Sequence, residues 1–218
     1  MFFSAFYKYV YNDLNSESQI TPTSRVNLED HITTSKFGDF NKGYAKFKGH
    51  GGPRDLDGAV KLFKSAAGQG SKQAQDFLGY MYSKGVGVRK NLEVSVQWYR
   101  KAADQGFIPS KYSLGVAYSF GKGLPQDFGV AAKLFSEAAN QGFIPAQFTL
   151  GLAYAQGHGV KKDYIKSYEW LTVAAKQEHE DAAKLREIIE EEMTPGQIAE
   201  AKRRARNFQF RFKRRLSQ

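Results

Sequence analysis

Between Gln73 and Lys84 the apolar residues fall at Ala74, Phe77, Leu78, Met81 and Tyr82, the three-and-four spacing that puts them on one face of a helix. A second apolar stripe, Val94, Trp98 and Tyr99 with the small residues Ala102 and Ala103, precedes Asp104. Between the stripes stand Gly85, Gly87 and Asn91, so the pattern predicts helix A, a tight turn and helix B. It then repeats at an offset of 36 residues: Gly43, Gly79, Gly115 and Gly151 recur at that interval, as do Gly49, Gly85, Gly121 and Gly157. Ala66-Ala67 returns as Ala102-Ala103, Ala138-Ala139 and Ala174-Ala175, and Gln69 as Gln105, Gln141 and Gln177. A two-helix unit cannot bury both of its faces alone, so units of this kind stack to make a core.

The punctuation has physical reasons. Gly85 and Gly87, with their counterparts, supply the positive-φ conformations that end helix A. Val88, Leu124 and Val160 stand where they can fold back as apolar plugs. Asn91, Asp127 and Asp163 stand as N-caps of helix B, accepting from orphan backbone amides. Gly70, Gly106 and Gly142 close helix B, and Pro109 and Pro145 open the next helix A, where a missing amide is harmless. Gly79, inside a helix, costs about 1 kcal/mol against Ala. Close backbone approach of helix B at the small residue Ser95 is the expected compensation.

The pattern divides the chain into a leader over 1–36, a repeat array over 37–180 and terminal helices over 181–218. The array reads as 37–72, 73–108, 109–144 and 145–180. In its first unit Gly38, Lys42 and Lys46 replace Ala74, Leu78 and Tyr82, so that helix A is degenerate or shifted in register. Glu178 replaces the closing glycine of the last unit. The leader joins an aromatic run (Phe2, Phe3, Phe6, Tyr9), suited to docking as an extra amphipathic turn, to a polar stretch without period. It lacks a leading basic segment and an Ala-x-Ala site, so a signal peptide is not expected. After the array, Ala182, Leu185, Ile189 and Met193 share a helix face, and Thr194-Pro195-Gly196-Gln197 reads as a capping box opening a last helix.

Charge enters at that last helix. The chain carries 32 Lys and Arg against 22 Asp and Glu, a net charge of +10. Lys202, Arg203, Arg204, Arg206, Arg211, Lys213, Arg214 and Arg215 surround an apolar stripe of Ile198, Ala201, Ala205, Phe208 and Phe212. A basic amphipathic helix of this kind suits an anionic lipid surface or nucleic acid, or it simply caps the stack with solvated cations. With no cysteine, disulfides and Cys-ligated zinc are excluded; a reducing, cytoplasmic setting is expected, or a periplasmic one if the N-terminus is incomplete. No segment approaches the roughly 20 apolar residues of a membrane span. The scattered histidines His31, His50, His158 and His179 never pair at helical spacing, so no metal and no cofactor is expected.

The strings FLGYMYSKGVGVRKNLEVSVQWYRKAADQG (77–106) and TLGLAYAQGHGVKKDYIKSYEWLTVAAKQ (149–177) resemble the Sel1-like repeat family, relatives of the tetratricopeptide repeats. MTPGQIAEAKRRAR (193–206) is similar to the capping helix that follows the last repeat in bacterial members. The resemblance implies an all-α fold, a right-handed α-α superhelical solenoid with a C-terminal capping helix, and a concave face that binds a protein or peptide. By spacing, helix A residues pointing away from helix B would line that face: Asp76, Tyr80, Ser83, Tyr112, Val116, Ser119, Phe148, Leu152 and Ala155. These positions serve equally for packing between repeats. Some cysteine-rich relatives are linked to penicillin binding, but the Ser-x-x-Lys at Ser119–Lys122 lacks the companion Ser-Asp-Asn and Lys-Thr-Gly motifs, so a hydrolase of that type is the least favoured reading. The expectation is a non-enzymatic scaffold, and the alternative is an adaptor attached through the basic helix.

Overall fold

A computed structural model describes residues 35–177 and 179–216, with side chains for 38–177 and 179–208. The aromatic leader lies outside the described residues, as do the side chains of Arg211, Phe212, Lys213, Arg214 and Arg215. Every regular element among the described residues is helical: α1 (Ser35–Lys48), α2 (Leu56–Gly68), α3 (Lys72–Lys84), α4 (Leu92–Asp104), α5 (Ile108–Phe120), α6 (Phe128–Asn140), α7 (Ile144–Gln156), α8 (Tyr164–Ala175), α9 (Glu180–Glu191) and α10 (Pro195–Leu216). Their contacts group into two compact units, one ending at Pro125 with α1–α5 and one starting at Gln126 with α6–α10.

Local chemistry places the helix ends. Asn91, Asp127 and Asp163 accept from the amides of Val94, Val130 and Lys166 at 3.0, 2.9 and 3.0 Å, caps worth about 1 kcal/mol each. Gly85, Gly121 and Gly157 end the A helices in the left-handed conformation, at φ 76, 62 and 79°. At Gly123 a side chain is excluded a second time, because a Cβ there would collide with the carbonyl of Leu92. Helix B ends on Gln69, Gln105 and Gln141, with Gly70, Gly106 and Gly142 as the positive-φ residue beyond.

In the first unit each helix packs on the next in sequence. The degenerate α1 is rotated: its apolar stripe is Phe40, Tyr44 and Phe47, one position removed from the stripe of α3. These rings meet Phe63 of α2 and Phe77 of α3, with Phe47 and Phe63 centred 4.8 and 4.6 Å from Phe77. Gly43 lets α1 close on α2, since a Cβ there would lie 3.0 Å from the Phe63 ring. The equivalent glycine of α3 corrects the sequence expectation in part. Ser95 does approach Gly79, its hydroxyl donating to the Gly79 carbonyl at 2.7 Å, but the group over the missing side chain is the ring of Tyr99, 2.6 Å from where a Cβ would stand.

In the second unit α8 is the hub, packed against α7, α9 and α10. The pair found in the first unit recurs, with the Ser167 hydroxyl donating to the Gly151 carbonyl at 2.7 Å and Leu171 covering the glycine. Ala182, Leu185, Ile189 and Met193 are buried as their spacing requires. Thr194 and Gln197 form the expected reciprocal capping box, the Thr194 amide donating to Gln197 Oε1 at 2.9 Å and the Gln197 amide to Thr194 Oγ1 at 3.3 Å. The described part of the apolar stripe of α10 faces into the unit: Ala201 and Ala205 are buried, and Phe208 meets Trp170 edge-on at 4.8 Å.

Candidate interaction surface

Buried residues of α3 (Ala74, Gln75, Phe77, Leu78, Gly79 and Met81) hold the helix in its unit. Asp76, Tyr80 and Ser83 sit on the remaining face and are half-buried. Asp76 accepts from the Ser110 hydroxyl of α5 at 2.5 Å. Burial pushes its carboxyl up to about 6, the hydrogen bond from Ser110 opposing that rise. Tyr80 meets the Phe77 ring edge-on at 5.8 Å, and its carbonyl accepts from the Ser83 hydroxyl at 2.8 Å. Behind this face lies the hydroxyl of Tyr99, hydrogen-bonded to Ser83 and Ser113 and held well above the usual tyrosine range by burial and by the nearby Asp76.

The structure places the other six expected residues deeper. Tyr112, Val116 and Ser119 in α5 are 7, 2 and 2% exposed, and Phe148, Leu152 and Ala155 in α7 are 3, 2 and 6% exposed. Helix α7 is packed between α6 and α8, and its apolar character extends nearly all round. Phe148 stacks on His179 at 4.5 Å, and that imidazole also caps α9 by accepting from the Ala182 amide at 3.3 Å. Burial holds His179 below its ordinary value, as it does His158, which stacks on Phe128 at 4.8 Å. Among the described residues no group of three or more His, Cys, Asp or Glu is arranged to hold a metal.

Three of the described cations of the basic helix have acidic neighbours. Lys202 reaches Glu190 of α9 at 3.0 Å, and Arg203 and Arg204 share Glu200 at 2.7 and 2.6 Å. Glu190 and Glu200 are held below the usual carboxylate range chiefly by these bonds. Arg206 is exposed on the same helix. No helix among the described residues is long and apolar enough to cross a membrane.

The residues missed by spacing are Tyr99 and Ser113, together with the lysines Lys84 and Lys122 near them. A signal for them exists in the sequence at twice the repeat length. Units one and three resemble each other (Lys61-Leu62-Phe63 and Lys133-Leu134-Phe135), as do units two and four (Ala74-Gln75 and Ala146-Gln147, Trp98 and Trp170). Against that 72-residue offset, Tyr99 and Ser113 stand where Leu171 and Leu185 would be expected.

The chain matches the Sel1 repeat over residues 40–71, 72–107, 108–143 and 144–179. A solved Sel1 repeat protein from Oxalobacter formigenes is 33% identical with a TM-score of 0.65, the match covering 71% of this chain and 45% of that one. The solved structure of c5321, a protective antigen present in uropathogenic Escherichia coli strains and displaying an SLR fold, is 27% identical with a TM-score of 0.49, over 79% of this chain and 45% of that one. The chain thus spans less than half the length of either. Among curated proteins none is similar to it at a significant level.

Proposed function

The chain belongs to the Sel1 repeat family, and we propose that it is a scaffold holding a peptide or a segment of another protein against its A helices. Repeats of this family commonly serve protein interaction and are typically non-catalytic. The observation that carries the reading is the composition of the α3 face. Asp76, Tyr80 and Ser83 lie outside the residues that bury α3 in its unit, and they combine an aromatic ring, a carboxylate and a hydroxyl on one half-buried strip. An aromatic anchor beside placed polar groups is what peptide recognition uses. Tyr112, Val116 and Ser119 in the first unit and Phe148, Leu152 and Ala155 in the second are buried and present little surface to a ligand.

Attachment to anionic lipid or nucleic acid through α10 is the weaker reading. Ala201 and Ala205 of its apolar stripe are buried, and Lys202, Arg203 and Arg204 already face carboxylates.

Site-specific photo-crosslinking tests the scaffold reading in the full chain. A benzophenone side chain at position 80 should capture a defined protein band in cells, and the same group at the exposed helix B position Gln97 should not. Equal capture from both positions, or capture from 97 alone, would overturn it.

A further inference from the structure

A cavity of about 400 Å³ opens inside the first unit where the end of α3, the start of α4 and the middle of α5 meet. Three lysines line it, Lys84, Lys90 and Lys122. Its floor carries the hydroxyls of Ser83, Tyr99 and Ser113, and Val96 and Val116 wall it. Lys84 and Lys122 are both held below the ordinary lysine range, first by burial, then for Lys84 by Lys122 and Lys90, and for Lys122 by Lys90. The cations are therefore close enough to repel one another in a partly desolvated site.

The fold does not require this arrangement. At the 72-residue offset the second unit has Ala155 for Ser83, Gln156 for Lys84, Leu171 for Tyr99, Leu185 for Ser113 and Thr194 for Lys122. There Leu171 and Leu185 are buried in place of the hydroxyl-bearing Tyr99 and Ser113. By contrast, the shallow hollows beside Asn91 and Asp163 are lined by matching residues at the same offset, Tyr82 with Tyr154 and Lys90 with Lys162, and so follow from the repeat itself. Among these three hollows of the described residues, the cavity at Lys84 and Lys122 is the one that departs from its counterpart, toward positive charge and hydroxyl donors.

We propose that this cavity receives an acidic side chain of a peptide bound on the α3 face, with Lys84 and Lys122 as counter-charges and Ser113 and Tyr99 as the hydroxyls of its floor. The proposal rests on the scaffold reading and gives the ligand a chemistry. A carboxylate entering between the lysines replaces mutual repulsion with attraction, and the valine walls cover its aliphatic stem. Ser83 belongs to both the cavity and the half-buried strip, so one peptide can engage Tyr80 and place its next acidic residue in the cavity.

Selection of a phage-displayed random dodecapeptide library on the full chain tests this. Selected sequences should share an Asp or Glu at one position, and a synthetic copy with that residue changed to its amide should bind at least about tenfold more weakly, or about 1.4 kcal/mol. In the Lys84→Met/Lys122→Met chain the acid and amide peptides should bind within about twofold of each other. The Lys161→Met/Lys162→Met chain, with the same change in charge, should keep the full difference. A second pair, Lys84→Gln/Lys122→Gln, repeats the measurement, and melting temperatures no lower than that of the parent show that both cavity variants fold. Selected peptides without a shared acid would overturn this proposal and leave the scaffold reading standing. Persistence of the acid–amide difference in the cavity variants would overturn the assignment to this site. Failure to select any peptide would defeat the scaffold reading, and this proposal with it.

Discussion

The side-chain amide of Gln105 donates to Gln75 Oε1 at 2.7 Å, while the amide of Gln75 donates to the Ala67 carbonyl at 3.2 Å. Three consecutive helices, α2, α3 and α4, are thereby joined by two glutamines. The second unit repeats the relay, from Gln177 to Gln147 at 2.8 Å and from Gln147 to the Ala139 carbonyl at 3.3 Å. This accounts for Gln105 and Gln177 at the ends of their B helices, and it explains why Gln75 and Gln147 tolerate burial at 6 and 0% exposure.

The relay predicts an asymmetric mutational cost. Gln75→Leu removes the middle of the relay and leaves the Ala67 carbonyl and the Gln105 amide without it, which should cost about 1–3 kcal/mol. Gln105→Ala removes a group that is exposed and should cost about 0.5–1.5 kcal/mol. Urea unfolding of the two single variants and the double variant checks both values, and the pair should couple by more than about 0.5 kcal/mol.

Two helical glycines should respond oppositely to alanine. At Gly79 the added methyl meets the Tyr99 ring, so Gly79→Ala should destabilise by about 1–3 kcal/mol despite the better helix propensity. At Gly38 nothing lies within 4 Å, and Gly38→Ala should stabilise by up to about 1 kcal/mol. Thermal melts of the two variants decide this.

Asp76 predicts a specific pH dependence. Its folded-state value of about 6 lies above the ordinary 3.8, so between these pH values the folded chain holds a proton that the unfolded chain has released. Stability from this group is therefore lost as pH rises from about 4 to about 6, by up to roughly 3 kcal/mol. Asp76→Asn can still accept from Ser110 and should lack that loss. The difference in unfolding free energy between parent and variant should be small at pH 4 and favour the variant at pH 7.5.

The docking of α10 should depend on its small residues. Ala201 is fully buried, so Ala201→Glu places an unpaired charge in the contact with α8. Limited proteolysis should then cut between Met193 and Arg206 at least about tenfold faster than in the parent, consistent with an opening free energy reduced by more than about 1.4 kcal/mol.

Helices, turns and caps were legible because each depends on neighbours within a few positions. Gly85 must turn left-handed wherever the chain packs, and Asn91 can cap only the helix that follows it. The 36-residue interval, the helix boundaries to within a residue and the capping box at Thr194 follow from that local chemistry alone. Spacing along the chain also shows which residues share a helix face, but not how the helix is rotated against its neighbours. That rotation is set by which side chains interdigitate, so only the tertiary structure decided that Tyr99 covers Gly79, that Phe40, Tyr44 and Phe47 form the stripe of α1, and that Tyr112 and Phe148 lie inside while Tyr80 is half-buried. The same packing brings Lys84 and Lys122, 38 positions apart, to one cavity. The repeat and its family were in the sequence; the placement of charge against a half-buried face required three helices to meet.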